Sequence, residues 1–269
     1  MKPEEFINQQ IKAGYKIHFH QGVWWENVLP FYCKPALLYQ EIIPRKSKPK
    51  LTASILGYSH CVPDKSHANK MWEVMILDSE KLKSFSIEKL STNRRNLVRK
   101  GLKKVEVRKI IDIKSDLEDL QEICVSMAKR TRHGKQSKYY IIHYRKWKSC
   151  IYNLFNLPGR EWWGAYYKQR LVAYLYCYQI DDTIYLDAHK CHTDYLNKNT
   201  NDALLYTFIL HCKSLSNCNR INFGDWNRER SGINEFKMKY GFEKVNIPVY
   251  ANYNPLVRIT QKVMKNRLL

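Results

Sequence analysis

Residues 171–212, LVAYLYCYQIDDTIYLDAHKCHTDYLNKNTNDALLYTFILHC, carry the pattern that decides the fold. Two apolar runs rich in aromatic and β-branched residues flank the pair Asp181-Asp182, and runs of this kind around a turn are typical of paired strands. The stretch 201–215 then has an apolar stripe at helical spacing, made by Leu204, Leu205, Phe208 and Ile209. This segment therefore predicts two strands followed by a helix.

The neighbouring segments extend the alternation in both directions. Towards the C-terminus the pattern predicts a strand, a short helix and a final strand, at 220–226, 231–242 and 245–253. Towards the N-terminus it predicts two helices, at 116–132 and 142–156, and a strand pair within 161–180 that turns near Lys168-Gln169. This order indicates an α/β (α+β) fold with a mixed sheet flanked by helices.

The first 115 residues are patterned less regularly. Apolar runs between Pro- and Gly-marked turns predict strands at 36–43 and 52–59. The stretch 86–104 predicts a helix with Ser91 or Thr92 as its N-cap and Gly101 near its C-terminal end, before a strand at 105–110. We therefore expect two domains, 1–115 and 116–269.

The composition excludes a disordered chain and favours anionic partners. Hydrophobic residues make up 44% and aromatic residues 13%, which is far from the composition of disordered proteins. Lys and Arg outnumber Asp and Glu by 46 to 25, for a formal charge of +21. Such a surface attracts nucleic acid or phosphate-bearing ligands, although a solvated basic surface explains the excess equally well.

The cysteines and the N-terminus indicate a cytoplasmic protein. The eight cysteines form no CxxC pair, so we expect reduced, buried thiols and neither a disulfide framework nor a metal site. The first residues include Glu4 and Glu5 and lack the apolar run of a signal peptide. No apolar run reaches the length that a membrane span requires.

Two segments resemble a known family. Residues 171–212 and 221–242 are similar to the C-terminal domain of Fem-type peptidyltransferases and BioF2-like acyltransferases of the GNAT superfamily, with Phe223-Gly224 and F-K-x-x-x-G-F at 236–242 as the most specific matches. Ser91, Arg95 and Arg99 resemble a helix in the family's first half. The resemblance implies an acyl-CoA N-acyltransferase fold, with a degenerate GNAT-like half at 1–115 and a better-formed transferase half at 116–269.

The resemblance also implies an activity. The first expectation is an N-acyltransferase that moves an acyl group, acetyl in particular, from acyl-CoA to a small-molecule or peptide amine, with no permanently bound cofactor. The alternative is an aminoacyl-tRNA-dependent aminoacyl or peptidyl transferase, which the charge of +21 favours. A second alternative is an inactive GNAT-like fold that binds nucleic acid through its basic surface.

The expected donor site follows the GNAT pattern with one departure. The three key positions of the phosphate loop are Leu196, Asn199 and Asn201, none of them Gly. Asn tolerates positive φ, so a turn there still directs N–H groups at phosphate; alternatively, Asn201 or Asp202 simply caps the next helix. By resemblance, the backbone at Ala188 and Lys190 and the ring of Phe236 contact the donor.

The expected catalytic groups lie around the F-K pair. By resemblance Lys237 stabilises the developing oxyanion; the alternative is an amphipathic helix with Ile233, Phe236 and Tyr240 in the core and Lys237 in solvent. Asp225, at a strand end, is expected to accept a proton or orient the amine. His192 is a third candidate, although a hydrogen-bonded structural histidine also fits the pattern.

The expected acceptor or phosphate-binding residues are Arg95, Arg99 and Trp226. The two arginines share one helix face, and guanidinium groups suit phosphates; an exposed charged helix is the alternative. A metal site of His189, Cys191 and His192 is geometrically unfavourable, because alternate residues of a strand face opposite sides.

Overall fold

The computed structural model describes residues 1–44, 46–131 and 134–254. The chain forms two compact units. Unit 1 consists of Met1 with Val74–Lys244, and unit 2 consists of Lys2–Glu73 with the chain from Val245 onward. The boundary expected between residues 115 and 116 differs from this division and lies inside unit 1, because the segments on its two sides share one sheet and pack together.

The strands of the described chain are β1 (Ile17–His20), β2 (Val23–Leu29), β3 (Tyr32–Pro35), β4 (Gly57–Cys61), β5 (Lys70–Leu77), β6 (Glu106–Lys109), β7 (Arg160–Tyr167), β8 (Arg170–Ile180), β9 (Thr183–Cys191), β10 (Arg220–Asp225) and β11 (Glu243–Tyr253). The helices are α1 (Pro3–Lys12), α2 (Ser79–Ser84), α3 (Thr92–Leu102), α4 (Leu117–Arg130), α5 (Gly134–Ile142), α6 (Tyr144–Phe155), α7 (Thr200–Ser214) and α8 (Ser231–Met238). The described part of the chain contains no helix both long and apolar enough to cross a membrane.

Unit 1 is a mixed sheet with helices on both faces. Its strand order is β5-β10-β9-β8-β7-β6, in which β9 and β10 run parallel and the other neighbouring pairs run antiparallel. One face packs on α7 and the other on α4 and α6. The predicted mixed sheet with flanking helices is confirmed.

The tight turns of unit 1 follow from their residues. Lys168 and Gln169 have φ of +50° and +66° and join β7 to β8, and positive φ at both central residues is the geometry that matches the twist of a two-residue hairpin. The predicted N-cap of α3 is also confirmed, since the Ser91 side chain accepts a hydrogen bond from the Arg94 amide. Local turn and cap chemistry therefore agrees with the sequence pattern here.

Unit 2 has the sheet order β1-β2-β3-β4-β11 and a small core that includes Trp25 and Tyr58. The strand predicted at 36–43 is wrong, because the chain turns between Leu37 and Gln40 and only Glu41 makes an isolated bridge. The strand predicted at 52–59 begins later, since Leu51–Ala53 forms a 3-10 turn. Of the eight free cysteines in the whole molecule, seven are buried as expected and Cys150 is exposed.

Candidate active site at the end of strand β10

The parallel strands β9 and β10 of unit 1 separate towards their C-terminal ends. Their pairing stops at Asn222 opposite Tyr185, although β9 continues to Cys191 and β10 to Asp225. Gly224 has φ of +69°, and its amide donates to the Asn222 side-chain oxygen at 2.8 Å. Glycine takes this left-handed conformation more readily than other residues, and the bend at the F-G pair lies where the ladder between β9 and β10 has ended.

Helix α8 places Lys237 at this opening. Its side chain is buried, with 6% of the residue exposed, and Nζ donates to the backbone oxygens of Phe223 at 2.7 Å and Asp225 at 3.0 Å. The alternative of a solvent-facing Lys237 is wrong, because the buried face of α8 carries Asn234 and Lys237, while Ile233 is exposed.

Burial sets the charge state of Lys237. Desolvation lowers the pKa of its ammonium group to about 8, against the opposing effect of the Asp225 carboxylate. An ammonium group has three N–H donors, and the carbonyls of Phe223 and Asp225 use two. Lys237 therefore remains mostly protonated at neutral pH with one donor left for a ligand.

The loop after β10 is fixed by a side chain of the same helix. Asn234, which is 2% exposed, accepts from the Asn227 amide at 2.9 Å and donates to the Asn227 backbone oxygen at 2.6 Å. These two bonds hold the segment that carries Asp225 and Trp226 against α8. Asp225 is exposed, and Trp226 is partly buried with Lys244 Nζ 5.1 Å from its ring centre.

His189 of β9 lies beside the same opening. Its ring centre is 5.7 Å from that of Phe223 and 5.9 Å from that of Phe236. Burial, followed by the charge of Lys237, lowers the pKa of His189 to about 4. Its Nε2 is buried and has no hydrogen-bond partner among the described residues, so this neutral imidazole has unused hydrogen-bonding capacity.

A buried network connects helices α3, α7 and α8 behind Phe236. Arg94 Nη1 pairs with Asp202 Oδ1, and the Tyr240 hydroxyl donates to the same carboxylate oxygen at 2.8 Å. The Arg94 guanidinium also lies 5.7 Å from the centre of the Phe236 ring. Burial, followed by the Asp202 charge, raises the pKa of Tyr240, so its hydroxyl remains a donor. The network fixes the ring of Phe236 next to Lys237.

The N-terminus of α7 has the predicted left-handed residue. Asn199 is the N-cap, with φ of +61°, and its side chain makes no capping hydrogen bond. The alternative in which Asn201 or Asp202 caps the helix is therefore wrong. Asn201 Oδ1 is buried without a partner among the described residues. A Cβ on Gly101 would lie 2.5 Å from the Asn199 carbonyl oxygen, so α3 packs directly on this turn.

Three predicted residues lie away from the Lys237 side chain. His192 begins the 3-10 turn Thr193–Lys198, and its Nδ1 accepts from the Asp194 amide at 3.3 Å. Lys190 Nζ contacts Cys124 Sγ at 3.5 Å on the opposite sheet face, against which Ala188 also packs. The alternation of the strand therefore brings His189, and neither Lys190 nor His192, to Phe236.

The arginines predicted from the motif occupy the outer part of α3. Arg95 donates to the Glu88 backbone oxygen at 3.3 Å and to Thr92 Oγ1 at 2.9 Å, and Arg99 is exposed. The arginine that reaches the site is Arg94, which the sequence analysis missed. The sequence did contain a signal that Arg94 is buried. Val98 and Gly101 lie on the buried face of α3, and Arg94 precedes them at helical spacing on the same face.

The described residues contain no group of three or more His, Cys, Asp and Glu side chains that could hold a metal ion. The groups that the structure brings together are instead an ammonium, a neutral imidazole, aromatic rings and the carboxylate of Asp225. These groups can polarise a carbonyl and accept a proton.

Solved structures of other proteins share this fold. At the sequence level, no family model and no curated protein matches the chain. Among solved structures, the C-terminal domain of an Agrobacterium fabrum protein assigned as a lysylphosphatidylglycerol synthetase matches with a TM-score of 0.61 and 8% identity, over 95% of this chain and 90% of that one.

Two further solved structures have a similar fold. L-PGS from Bacillus licheniformis matches with a TM-score of 0.57 and 11% identity, over 99% of this chain and 96% of its own. FemX matches with a TM-score of 0.51 and 11% identity, over 70% of this chain and 63% of its own. The chain therefore has the GNAT/Fem-like fold that the sequence resemblance implied.

Proposed function

We propose that unit 1 is an N-acyltransferase that moves an acyl group, acetyl in the first instance, from acyl-CoA to an amine. The observation that carries this proposal is the separation of β9 from β10 with the Lys237 ammonium group and the neutral His189 at the gap. The fold supports acyl transfer in general, because one neighbour is named for a synthetase of lysylphosphatidylglycerol, which is a lysyl ester.

The donor chain is proposed to lie along β9. Beyond Tyr185 the backbone of β9 has no ladder partner from β10 in the described pairing, and this stretch includes Ala188 and Lys190. A free strand edge binds an extended ligand through its backbone N–H and C=O groups. The phosphates would then lie at the α7 N-terminus, where Asn199 and Asn201 form the turn.

Lys237 is proposed to stabilise the negative charge that develops on the donor carbonyl. When the amine attacks, a C–N bond forms, the oxygen gains charge, and the C–S bond then breaks to release the thiolate. The remaining N–H donor of Lys237 suits that oxygen, and a buried positive charge is most effective where water is excluded. We propose that His189 Nε2, which has no partner among the described residues, supplies or accepts a second hydrogen bond in the same gap.

The amine proton is proposed to pass to Asp225. This carboxylate is exposed at the end of β10, while its own backbone oxygen accepts from Lys237. A general base needs an accessible route to the acceptor nitrogen, and an exposed position on the mouth of the gap meets that need. Trp226 and Phe236 are proposed to supply apolar contacts to the acceptor and the donor, respectively.

The proposal is tested by product formation. The full chain is incubated with acetyl-CoA and a panel of primary amines, including peptides with a free N-terminus, and the products are read by mass spectrometry together with thiol release. We expect an acetyl adduct on at least one amine class and one thiol released per adduct. The absence of adducts with acetyl-CoA and with longer acyl-CoAs would exclude this donor class.

A second donor is supported by a different observation. The formal charge of +21 and the lack of glycine at Leu196, Asn199 and Asn201 favour aminoacyl-tRNA, because a polyanionic RNA gains more from a basic surface than CoA does. The same assay distinguishes the two donors. An adduct that carries an amino-acid mass and disappears after RNase treatment indicates tRNA, whereas an RNase-resistant acetyl adduct indicates CoA.

A further inference from the structure

Unit 2 contains a cavity that takes no part in the proposed acyl transfer. The cavity has a volume of about 470 Å³ and is lined by residues of β2, β3, β4, β5 and β11, together with Leu38. This volume lies within the range of small-molecule binding sites. The wall residues differ from every residue proposed above for donor, acceptor or catalysis.

Two stacked aromatic pairs build the apolar walls. Trp72 stacks on Tyr39 with ring centres 5.0 Å apart and planes 7° apart. Tyr32 stacks on Tyr253 at 5.7 Å and 11°. Trp72, Tyr32 and Tyr253 line the cavity, and because their stacking partners already fix the rings, flat apolar surfaces are present before any ligand binds.

The charged groups of the lining are all positive. Lys34 and Lys70 contribute ammonium groups, and the thirteen described lining residues include no Asp or Glu. Lys34 Nζ lies 5.6 Å from the Trp72 ring centre. Glu26 is opposite Lys34 in the β2–β3 register and does not line the cavity; burial raises the pKa of Glu26, and the charge of Lys34 opposes that shift. The cavity therefore favours an anion.

A buried hydroxyl adds a directional donor. Ser59 is 7% exposed, lines the cavity and accepts a hydrogen bond from the Tyr32 hydroxyl at 2.8 Å. A serine hydroxyl can donate one hydrogen bond and accept others, so Ser59 keeps a proton for a ligand while Tyr32 donates to it. Ser59 can therefore donate to a ligand oxygen between the aromatic walls.

We propose that this cavity binds a carboxylate ligand with a compact apolar body. The carboxylate is held by the Lys34 and Lys70 ammonium groups and the Ser59 hydroxyl, and the apolar body packs between Trp72 and the Tyr32 ring. This site is separate from the proposed acyl transfer, since none of its residues takes part in that reaction.

Calorimetric titration of the full chain with 1-naphthaleneacetate and its uncharged amide, 1-naphthaleneacetamide, tests the proposal. The two probes share the aromatic body and differ in charge. We expect the acid to bind at least about tenfold more tightly than the amide, because a hydrogen bond to a charged group contributes more than a neutral one. The double variant Lys34→Met/Lys70→Met should lose this preference.

A matched double variant controls for net charge. Lys12→Met/Lys65→Met removes two exposed ammonium groups that do not line the cavity, and it should retain the preference for the acid. Equal affinity for acid and amide, binding of neither probe, or equal loss in both double variants would overturn the proposal. Lys237→Met should bind the acid like the wild type, so this result and the test of acyl transfer are independent.

Discussion

The ammonium nitrogen of Lys237 lies 2.7 Å from the backbone oxygen of Phe223, fourteen residues earlier in the chain. The bond joins the F-K pair of α8 to the F-G pair of β10, the two short motifs that the sequence singled out. A second bond, to the Asp225 oxygen, holds the bent strand end where β10 leaves β9. Lys237 thus both stabilises the opening and presents a charge to it.

The rate of acyl transfer should fall at alkaline pH. Lys237, with a pKa lowered to about 8 by burial, loses its charge as the pH rises through that value, and the oxyanion then loses its partner. With an amine acceptor whose own pKa lies below 6, log(kcat/KM) should be level near pH 7 and decline above pH 8. A profile that stays level to pH 10 would show that the charge of Lys237 is not needed.

Acid should destabilise the protein through His189. Its folded-state pKa of about 4 lies below the ordinary value of 6.5, so the unfolded state binds more protons between these values. The stability contributed by the neutral ring is complete above pH 6.5 and is lost as the pH falls through 4, with a slope of at most about 1.4 kcal/mol per pH unit. Urea unfolding from pH 7 to 4 should show this loss in the wild type.

The control for that measurement is His189→Gln, which removes the titration. The difference in unfolding free energy between wild type and variant should shrink as the pH is lowered from 6.5 to 4. A difference that does not change with pH would mean that His189 is hydrated or charged in the folded protein, against its placement between Phe223 and Phe236.

Breaking the Arg94–Asp202 ion pair should lower the free energy of unfolding. Asp202→Asn preserves the shape of the side chain but leaves the buried guanidinium without a counter-charge, which typically costs about 3–5 kcal/mol. Asp194→Asn, at an exposed carboxylate near His192, should change the unfolding free energy by less than about 0.5 kcal/mol. Equal stabilities of the two variants in urea would contradict the burial of the network.

Gly101→Ala should destabilise the protein despite the higher helix propensity of alanine. The added methyl group would meet the Asn199 carbonyl oxygen at 2.5 Å, so α3 must shift away from the α7 N-terminus, and overpacking of this kind costs about 1–3 kcal/mol. Gly232→Ala in α8 meets no atom within 4 Å and should be neutral or stabilising by up to about 1 kcal/mol. Thermal unfolding of both variants checks this; a stabilised Gly101→Ala would refute the close packing.

Local chemistry made much of unit 1 predictable. The strand pair around Lys168-Gln169, the turn at Asp181 and the stripe on α7 all lie within one or two residues of their predicted places, because each depends on neighbours in sequence. Helix α1 and the irregular path of 36–43 were not found, since tertiary contacts rather than periodicity determine them. Part of the predicted helix 116–132 and the segment beyond 254 lie outside the described residues.

The sequence predicted residues of the candidate site only where a short motif or a strand end marked them. Phe236 and Lys237, expected from the resemblance, and Asp225, expected from its place at a strand end, lie near one another, and their roles are proposals. Arg94 and Asp202 are 108 residues apart in sequence, and no local pattern pairs them. His189 was passed over in favour of His192 because strand alternation does not say which sheet face meets α8.

The most direct test of acyl transfer compares Lys237→Met with Lys239→Met in single-turnover reactions under saturating donor and acceptor. Lys239 is exposed two residues away and faces Glu235, so the pair is matched in chemistry and differs in position. Removal of an oxyanion-stabilising donor typically lowers the chemical step by about 100- to 1,000-fold, and we expect that loss for Lys237→Met with the donor still bound, while Lys239→Met reacts at the wild-type rate. A folded Lys237→Met protein with the wild-type single-turnover rate would contradict the account.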